Sequence, residues 1–215
     1  MNKWLDTVVR AYNDNFSSDS KVVWEVGSRD GIDGFEVALR IGATDPANLY
    51  FVEANPSQST KIKHLFPDSR VFDVAVSNFE GTAEFAVFGR NNGVDMGTVG
   101  CSSLNTHWLD GNMSADPTIT KEIIEVKVTK LANLVEESGV QTIDVMLVDV
   151  EGLSYEVLQG LGEHISKVKV IELETEVNSS TDQVTEYLTS RGFELYERVD
   201  RWTGFPDLVF INKGQ

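Results

Sequence analysis

The run Val22-Val23-Trp24-Glu25-Val26-Gly27-Ser28-Arg29-Asp30-Gly31-Ile32-Asp33-Gly34 restricts this chain to a small set of folds. Val22 to Val26 is a short apolar stretch, rich in β-branched residues and of a length suited to a buried strand. Beyond Asp33, read as the N-cap, Phe35, Val37, Ala38, Leu39 and Ile41 recur at mostly helical spacings. Gly27 and Gly31 free the turn between the two elements. A strand that breaks through a glycine loop into a helix aims backbone N–H groups and the positive end of the helix dipole into one crevice. That crevice lies outside the carboxyl edge of an α/β sheet, where such folds bind nucleotide-type ligands.

The glycine spacing separates the possible ligands. A dinucleotide fingerprint reads Gly-x-Gly-x-x-Gly, so that backbone can approach a pyrophosphate. Here Arg29 takes the middle position and the run reads Glu-x-Gly-x-x-x-Gly, which argues against an NAD-dependent oxidoreductase. S-adenosyl-L-methionine has no pyrophosphate and carries cationic groups. It suits a loop of Gly27, Ser28 and Gly31 with the Glu25 carboxylate beneath. A plain strand-to-helix turn with a solvated Glu is the simpler alternative. Glu53, at the end of the apolar run Asn48 to Val52, follows Gly31 by 22 positions. That is close to the spacing of about 20 at which an acid accepts from ribose hydroxyls. Asp73, within a third strand-like run from Arg70 to Val76, either accepts from the exocyclic amine of an adenine or begins a turn.

The remaining chain continues the alternation of strands and helices. Gln58 to Phe66 reads as a helix, and Gly81 to Phe88 as an added strand. Residues 89–120, rich in Gly, Asn, Asp and Ser, form a long loop or lid. His107 and Trp108 within it face a substrate, or else anchor the loop and meet solvent. Glu122 to Thr129 alternates as a strand, and Leu131, Leu134 and Val135 mark a helix ending near Gly139. Ile143 to Val150 is a buried strand running into Glu151-Gly152, so Asp149 and Glu151 stand at its carboxyl end, with a helix through Tyr155, Val157, Leu158 and Leu161 beyond. A strand over Lys167 to Glu174 and a helix over Thr181 to Arg191 precede two closing strands, Phe193 to Val199 and Asp207 to Asn212, whose short connection favours antiparallel pairing.

With 18 Lys and Arg against 34 Asp and Glu, the chain carries a formal charge of −16. Long-range repulsion then excludes nucleic acid and anionic membrane as expected partners. One cysteine, Cys101, gives no disulfide framework, and no Cys or His pairs have zinc-site spacing, so a cytoplasmic location is expected. Residues 1–14 are neither a signal peptide nor a membrane span. Trp4, Leu5, Val8, Val9 and Tyr12 give them an amphipathic helical stripe that docks on the core. No linker or repeat divides the sequence, and residues 1–215 are expected to form a single domain; the oligomeric state is left open.

Several of these segments resemble the FkbM-type methyltransferases, a branch of the class I S-adenosylmethionine-dependent enzymes. The likeness covers most of the chain. It runs through Glu25-x-Gly27-x-x-x-Gly31, Phe51-Val52-Glu53-Ala54-Asn55-Pro56 and Asp73-Val74-Ala75-Val76-Ser77. It is most specific at Ile143-Asp144 leading to Asp149-Val150-Glu151-Gly152, followed by Val157-Leu158-Gln159-Gly160. Where the family reads Lys-Ile-Asp-x-Glu-Gly-x-Glu, this chain has Leu147-Val148 in place of Lys-Ile and Ser154 at the second Glu, and the family's Leu-Asp appears as Leu131-Ala132. The resemblance implies a Rossmann-like α/β fold with a seven-strand, mainly parallel sheet, an antiparallel last strand and an inserted β segment. It also implies S-adenosyl-L-methionine as cofactor and O-methylation of a hydroxyl on a small-molecule or carbohydrate acceptor. Asp149 and Glu151 are the candidate catalytic residues, as base and acceptor-orienting carboxylate or as oxygen ligands of a divalent cation. Their plainer roles are helix start and backbone contact. His107 is a second candidate base. Val148 and Ser154 also admit a cofactor-binding module without turnover.

Overall fold

The computed structural model describes residues 3–91, 96–98, 102–107, 119–176, 180–202 and 204–214. In chain order the elements are α1 (Lys3–Asn15), β1 (Val23–Val26), α2 (Ile32–Ile41), β2 (Leu49–Val52), α3 (Pro56–Leu65), β3 (Arg70–Phe72), β4 (Ala75–Val76), β5 (Gly81–Asn91) and β6 (Met96–Thr98). They continue with β7 (Ile119–Thr129), α4 (Leu131–Ser138), β8 (Ile143–Val148), α5 (Ser154–Leu161), β9 (Val168–Glu174), α6 (Ser180–Thr189), β10 (Phe193–Trp202) and β11 (Phe205–Asn212).

Seven strands form the main sheet in the order β10-β11-β9-β8-β1-β2-β3. The pairs from β9 to β3 are parallel, while β11 runs antiparallel to both β9 and β10. Every residue of β1, β2 and β8 is buried, as parallel strands covered on both faces require. Side-chain alternation divides the core in two. Trp24, Val26, Tyr50, Val52, Met146 and Val148 pack on one face with Leu131, Leu134, Leu158 and Leu161 from α4 and α5. Val23, Leu49, Phe51, Val145 and Leu147 pack on the other with α1, α2 and Ile62 of α3. The expected amphipathic α1 therefore docks on its own core. Among the described residues, no helix is long and apolar enough to cross a membrane.

Three expectations change. The run Arg70 to Val76 is not one strand. Arg70–Phe72 extends the main sheet, whereas Ala75–Val76 pairs with Val128 and Thr129 in a second, four-stranded sheet of order β4-β7-β5-β6. β3 is the edge of the main sheet, so the chain can leave it there, and an apolar run carries no mark of which sheet each half joins. The stretch 89–120 is likewise not irregular throughout: β5 extends to Asn91, Met96–Thr98 pairs with it, and β7 begins at Ile119. Third, α2 begins at Ile32 with Gly31 as its N-cap at φ 75°, which puts Asp33 inside the first turn. The capping acceptor comes from another element: the Glu25 carboxylate on β1 accepts from the backbone N–H of Gly34 at 3.1 Å.

At the amino end of β8, the buried Asp144 gathers α1, β1 and β9. Its carboxylate accepts from the Tyr12 hydroxyl at 2.9 Å, the Val22 N–H at 2.8 Å and the Lys169 ammonium at 2.8 Å. Removing one partner of a buried ion pair leaves the other uncompensated. Asp144→Ala is expected to lower the unfolding free energy by about 3 to 5 kcal/mol, read from urea denaturation; a loss below about 1 kcal/mol would show that the network holds nothing together.

Candidate active site

β1 and β8 are neighbours in the sheet but far apart in sequence, and their ends are level, with Val26 opposite Val148. The loops that follow them therefore face each other at a topological switch point. Gly27, at φ 83°, makes the approach possible: a Cβ there would fall 1.8 Å from the carbonyl oxygen of Asp149. The Gly27 N–H donates to the Val52 carbonyl at 2.9 Å. The Ser28 hydroxyl donates to the Glu25 carbonyl at 2.6 Å and accepts from the Val52 N–H at 3.2 Å, joining the ends of β1 and β2.

Glu25 is buried under this loop. A Cβ on Gly34 would come within 2.6 Å of its carboxylate oxygen and 3.0 Å of its Cβ, so a side chain there would displace the Glu25 carboxylate. Burial, then the nearby Asp33, raises the Glu25 pKa well above the ordinary carboxylate value; the Gly34 hydrogen bond opposes this, and Asp30 and Asp149 add to it.

Glu53 follows β2 with both oxygens engaged: one accepts from the Arg29 N–H at 2.7 Å, the other from the Asn55 N–H at 2.6 Å. Burial raises its pKa to about 7 against the opposing backbone hydrogen bonds from Asn55, Arg29 and Ala54. Asn55 in turn caps α3, accepting from the Ser57 N–H at 3.0 Å.

Beyond β8, Glu151 adopts φ 51° and Gly152 φ 89°. Oxygens of Asp149, Glu151 and Glu174 lie within 4.8 Å of one another. Glu174 ends β9, and its carbonyl accepts from the Ser154 hydroxyl at 2.7 Å. Arg29 and Glu151 are the two non-glycine residues with positive φ among those described, and both line one cleft. Such conformations cost on the order of 1 to 2 kcal/mol and gather where a site demands them.

This first cleft spans about 620 Å³, its open mouth and the solvent there included. It is lined by the Gly27 loop, Glu53, Asn55 and Gln58 on one side and Asp149, Glu151 and Leu153 on another. Val74, Ala75 and Val76 with Phe85, Ser102 and Leu104 supply its largely apolar third side. A second cleft is lined by Trp4, Glu25, Ser28, Asp33 and Glu172 and shares Gly27, Arg29 and Asp149 with the first. The expected residues Glu25, Gly27, Ser28, Glu53, Asp149 and Glu151 thus converge. Gly31 caps α2 behind them.

Asp73 does not line either cleft. Its half-exposed carboxylate pairs with Lys63. Burial works against that carboxylate, and hydrogen bonds from Lys63 and Ser59 with the Lys63 charge outweigh it, so its pKa lies below the usual value. His107 is exposed, three residues beyond the lining residue Leu104, with its N–H on the Asn105 side chain at 3.3 Å. Cys101 and Trp108 lie outside the described residues. Glu172 and Glu174 had not been singled out from the sequence. Their signal was available, two acids in a strand otherwise made of Val, Ile, Leu and one Lys, beside a strand end already rich in acids.

The strand order and the crevice define a Rossmann-like methyltransferase fold. An FkbM methyltransferase from Methylobacillus flagellatus superposes with a TM-score of 0.55 at 12% identity, covering 94% of this chain and 47% of that one. A ribosomal protein methylase from Lactobacillus delbrueckii subsp. bulgaricus gives 0.53 at 9% identity, covering 99% and 80%. A putative tRNA methyltransferase from Streptococcus pneumoniae, solved with S-adenosyl-L-methionine, gives 0.51 at 13% identity, covering 99% and 73%. No curated protein matches the sequence. The family itself is shown by the sequence: residues 25–195 match the methyltransferase FkbM domain, and the chain belongs to that family of S-adenosylmethionine-dependent methyltransferases.

The raised Glu53 pKa has a consequence for stability. The folded protein holds the Glu53 proton more tightly than the unfolded chain, so its contribution is complete below pH 4.5 and is lost as pH rises through about 7. The change amounts to about 3 kcal/mol. Urea unfolding across that interval should show wild type losing stability relative to Glu53→Gln by this amount; a pH-independent difference between the two would contradict it.

Proposed function

We propose that this methyltransferase binds S-adenosyl-L-methionine across the two neighbouring clefts and methylates a hydroxyl of a small-molecule or carbohydrate acceptor, acting as one cytoplasmic domain over residues 1–215. The observation that carries the reading is the convergence of Asp149, Glu151 and Glu174 beside the Gly27 loop. The cofactor supplies an electrophilic methyl group on a cationic sulfur.

The lining residues suit that molecule. Glu25, Asp33 and Glu172 in the second cleft match an ammonium, and an adjacent cation would draw the Glu25 carboxyl back towards its ionised form. Glu53 has lone pairs beyond those used by Arg29 and Asn55 with which to accept from a ribose diol. Val74, Ala75, Val76, Phe85 and Leu104 offer an apolar slot for a planar base. Asp73, adjoining Val74, is the candidate acceptor for the base's amine on condition that it leaves Lys63.

At the other end, the acceptor oxygen must be held close and in line, and its proton removed as the bond forms. Asp149 or Glu151 takes the proton, and the remaining carboxylates orient the hydroxyl. The same oxygens suit a hard divalent cation that would polarise it instead. Arg29 is the sole cation among the described residues lining the first cleft. With a chain charge of −16, this disfavours polyanionic acceptors and supports a neutral one, although a structural neighbour is named as a tRNA methyltransferase.

Calorimetry should show S-adenosyl-L-methionine binding that weakens at least about tenfold in Glu53→Ala, the loss of one charge-assisted hydrogen bond. Tight NADH binding with no response to S-adenosyl-L-methionine would overturn the cofactor assignment. With methyl-labelled cofactor, label should appear on hydroxylated small molecules or sugars and not on RNA. Asp149→Asn and Glu151→Gln should lower turnover on the order of 100-fold or more. Loss of activity with chelator, restored by Mg²⁺ or Mn²⁺, would assign the carboxylates as ligands. Wild-type turnover in both variants would remove them and make His107 the next residue to substitute. Ser154, buried and bonded to the Glu174 carbonyl, favours one second reading, a module that binds cofactor without transfer. Label retained on the cofactor with every acceptor would support that reading.

A further inference from the structure

The first cleft has a roof from the inserted sheet and a floor from the loop after β8, and a side-chain hydrogen bond joins them. Ser103 is 1% exposed. It is fixed to β5 by reciprocal backbone bonds with Ala86, at 2.9 Å from the Ala86 N–H and 3.0 Å from its own. Its hydroxyl donates to the carbonyl of Glu151 at 2.8 Å and accepts from the Asn105 N–H at 2.9 Å. The residues on either side of it, Ser102 and Leu104, line the cleft, as does Phe85 on β5. The acceptor of this bond belongs to the residue held at φ 51°, a backbone state that needs external support.

We propose that Ser103 is a positioning residue that latches the roof of the cleft to Glu151. The hydroxyl keeps Phe85, Ser102 and Leu104 closed over the cleft and at the same time holds the left-handed Glu151 backbone that aims its carboxylate towards Asp149 and Glu174. A ligand beneath this roof leaves when the latch opens, so the hydroxyl acts chiefly on escape. The proposal rests on the cofactor reading above.

The probe is S-adenosylhomocysteine, with association and dissociation rates and the binding-competent fraction measured on the full chain. Ser103→Ala is expected to release it roughly tenfold faster, the loss of one hydrogen bond to a partly buried carbonyl, with association no slower and the competent fraction unchanged. Ser103→Thr, which keeps the hydroxyl, should release it at close to the wild-type rate. Ser103→Cys, of similar size with a weak donor, should release it faster and carries the test if the Ala variant does not fold. A purely structural role predicts the opposite pattern, a smaller competent fraction with an unchanged dissociation rate, and that result overturns the latch. So does dissociation within twofold of wild type in both Ala and Cys variants. Wild type that does not bind S-adenosylhomocysteine would retire the cofactor reading itself, an outcome distinct from the failure of the latch.

Discussion

The site depends on one close approach of backbone to backbone. Where β1 and β8 end, the Asp149 carbonyl occupies space that any side chain at position 27 would need. Gly27 is therefore required by a carbonyl of its own chain and not by a ligand's pyrophosphate. This accounts for a glycine loop that departs from the dinucleotide pattern. Because the two turns touch, Gly27, Arg29 and Asp149 line both clefts.

Two buried carboxylates then serve the fold and the crevice together. Glu25 caps a helix that has no side-chain cap of its own, and Glu53 holds the backbone of Arg29 on one side and of Asn55 on the other. Desolvation penalises both in their charged forms, and backbone N–H groups only partly offset it. An acid so placed is poised to respond to a cation or a hydroxyl entering beside it, since part of its solvation has already been given up.

Much of this was legible in the residues. The apolar run into Gly27, the acid at position 53 and the acids after Val148 are local patterns, and parallel strands buried on both faces announce themselves by continuous hydrophobicity. The closing hairpin followed from a connection too short to cross over. What escaped was non-local. The Gly34 N–H finds its acceptor nine residues back on another element, so Asp33, a good local cap, was credited with the work of Glu25. Ala75 and Val76 look like a continuation of Arg70 to Phe72 because both halves are apolar, and only the partner strand distinguishes them. Glu174 joins Asp149 and Glu151 through the pairing of β8 with β9, which spacing along the chain does not encode.

The break at Asp73 and Val74 also bears on how such a protein changes over evolutionary time. The chain departs the main sheet at Ala75 and Val76 and returns at Val128 and Thr129, and these two segments lie side by side as parallel partners. The inserted sheet is thus an excursion closed at its base, so its far end can lengthen, shorten or be exchanged without moving a strand of the main sheet. Its near end has no such freedom, because Gly160 on α5 packs so tightly against the Ser77 carbonyl that a Cβ there would sit 2.1 Å from it. Variation is channelled to the far end of the inserted sheet, and a descendant could remodel that end while inheriting the strands of the main sheet intact.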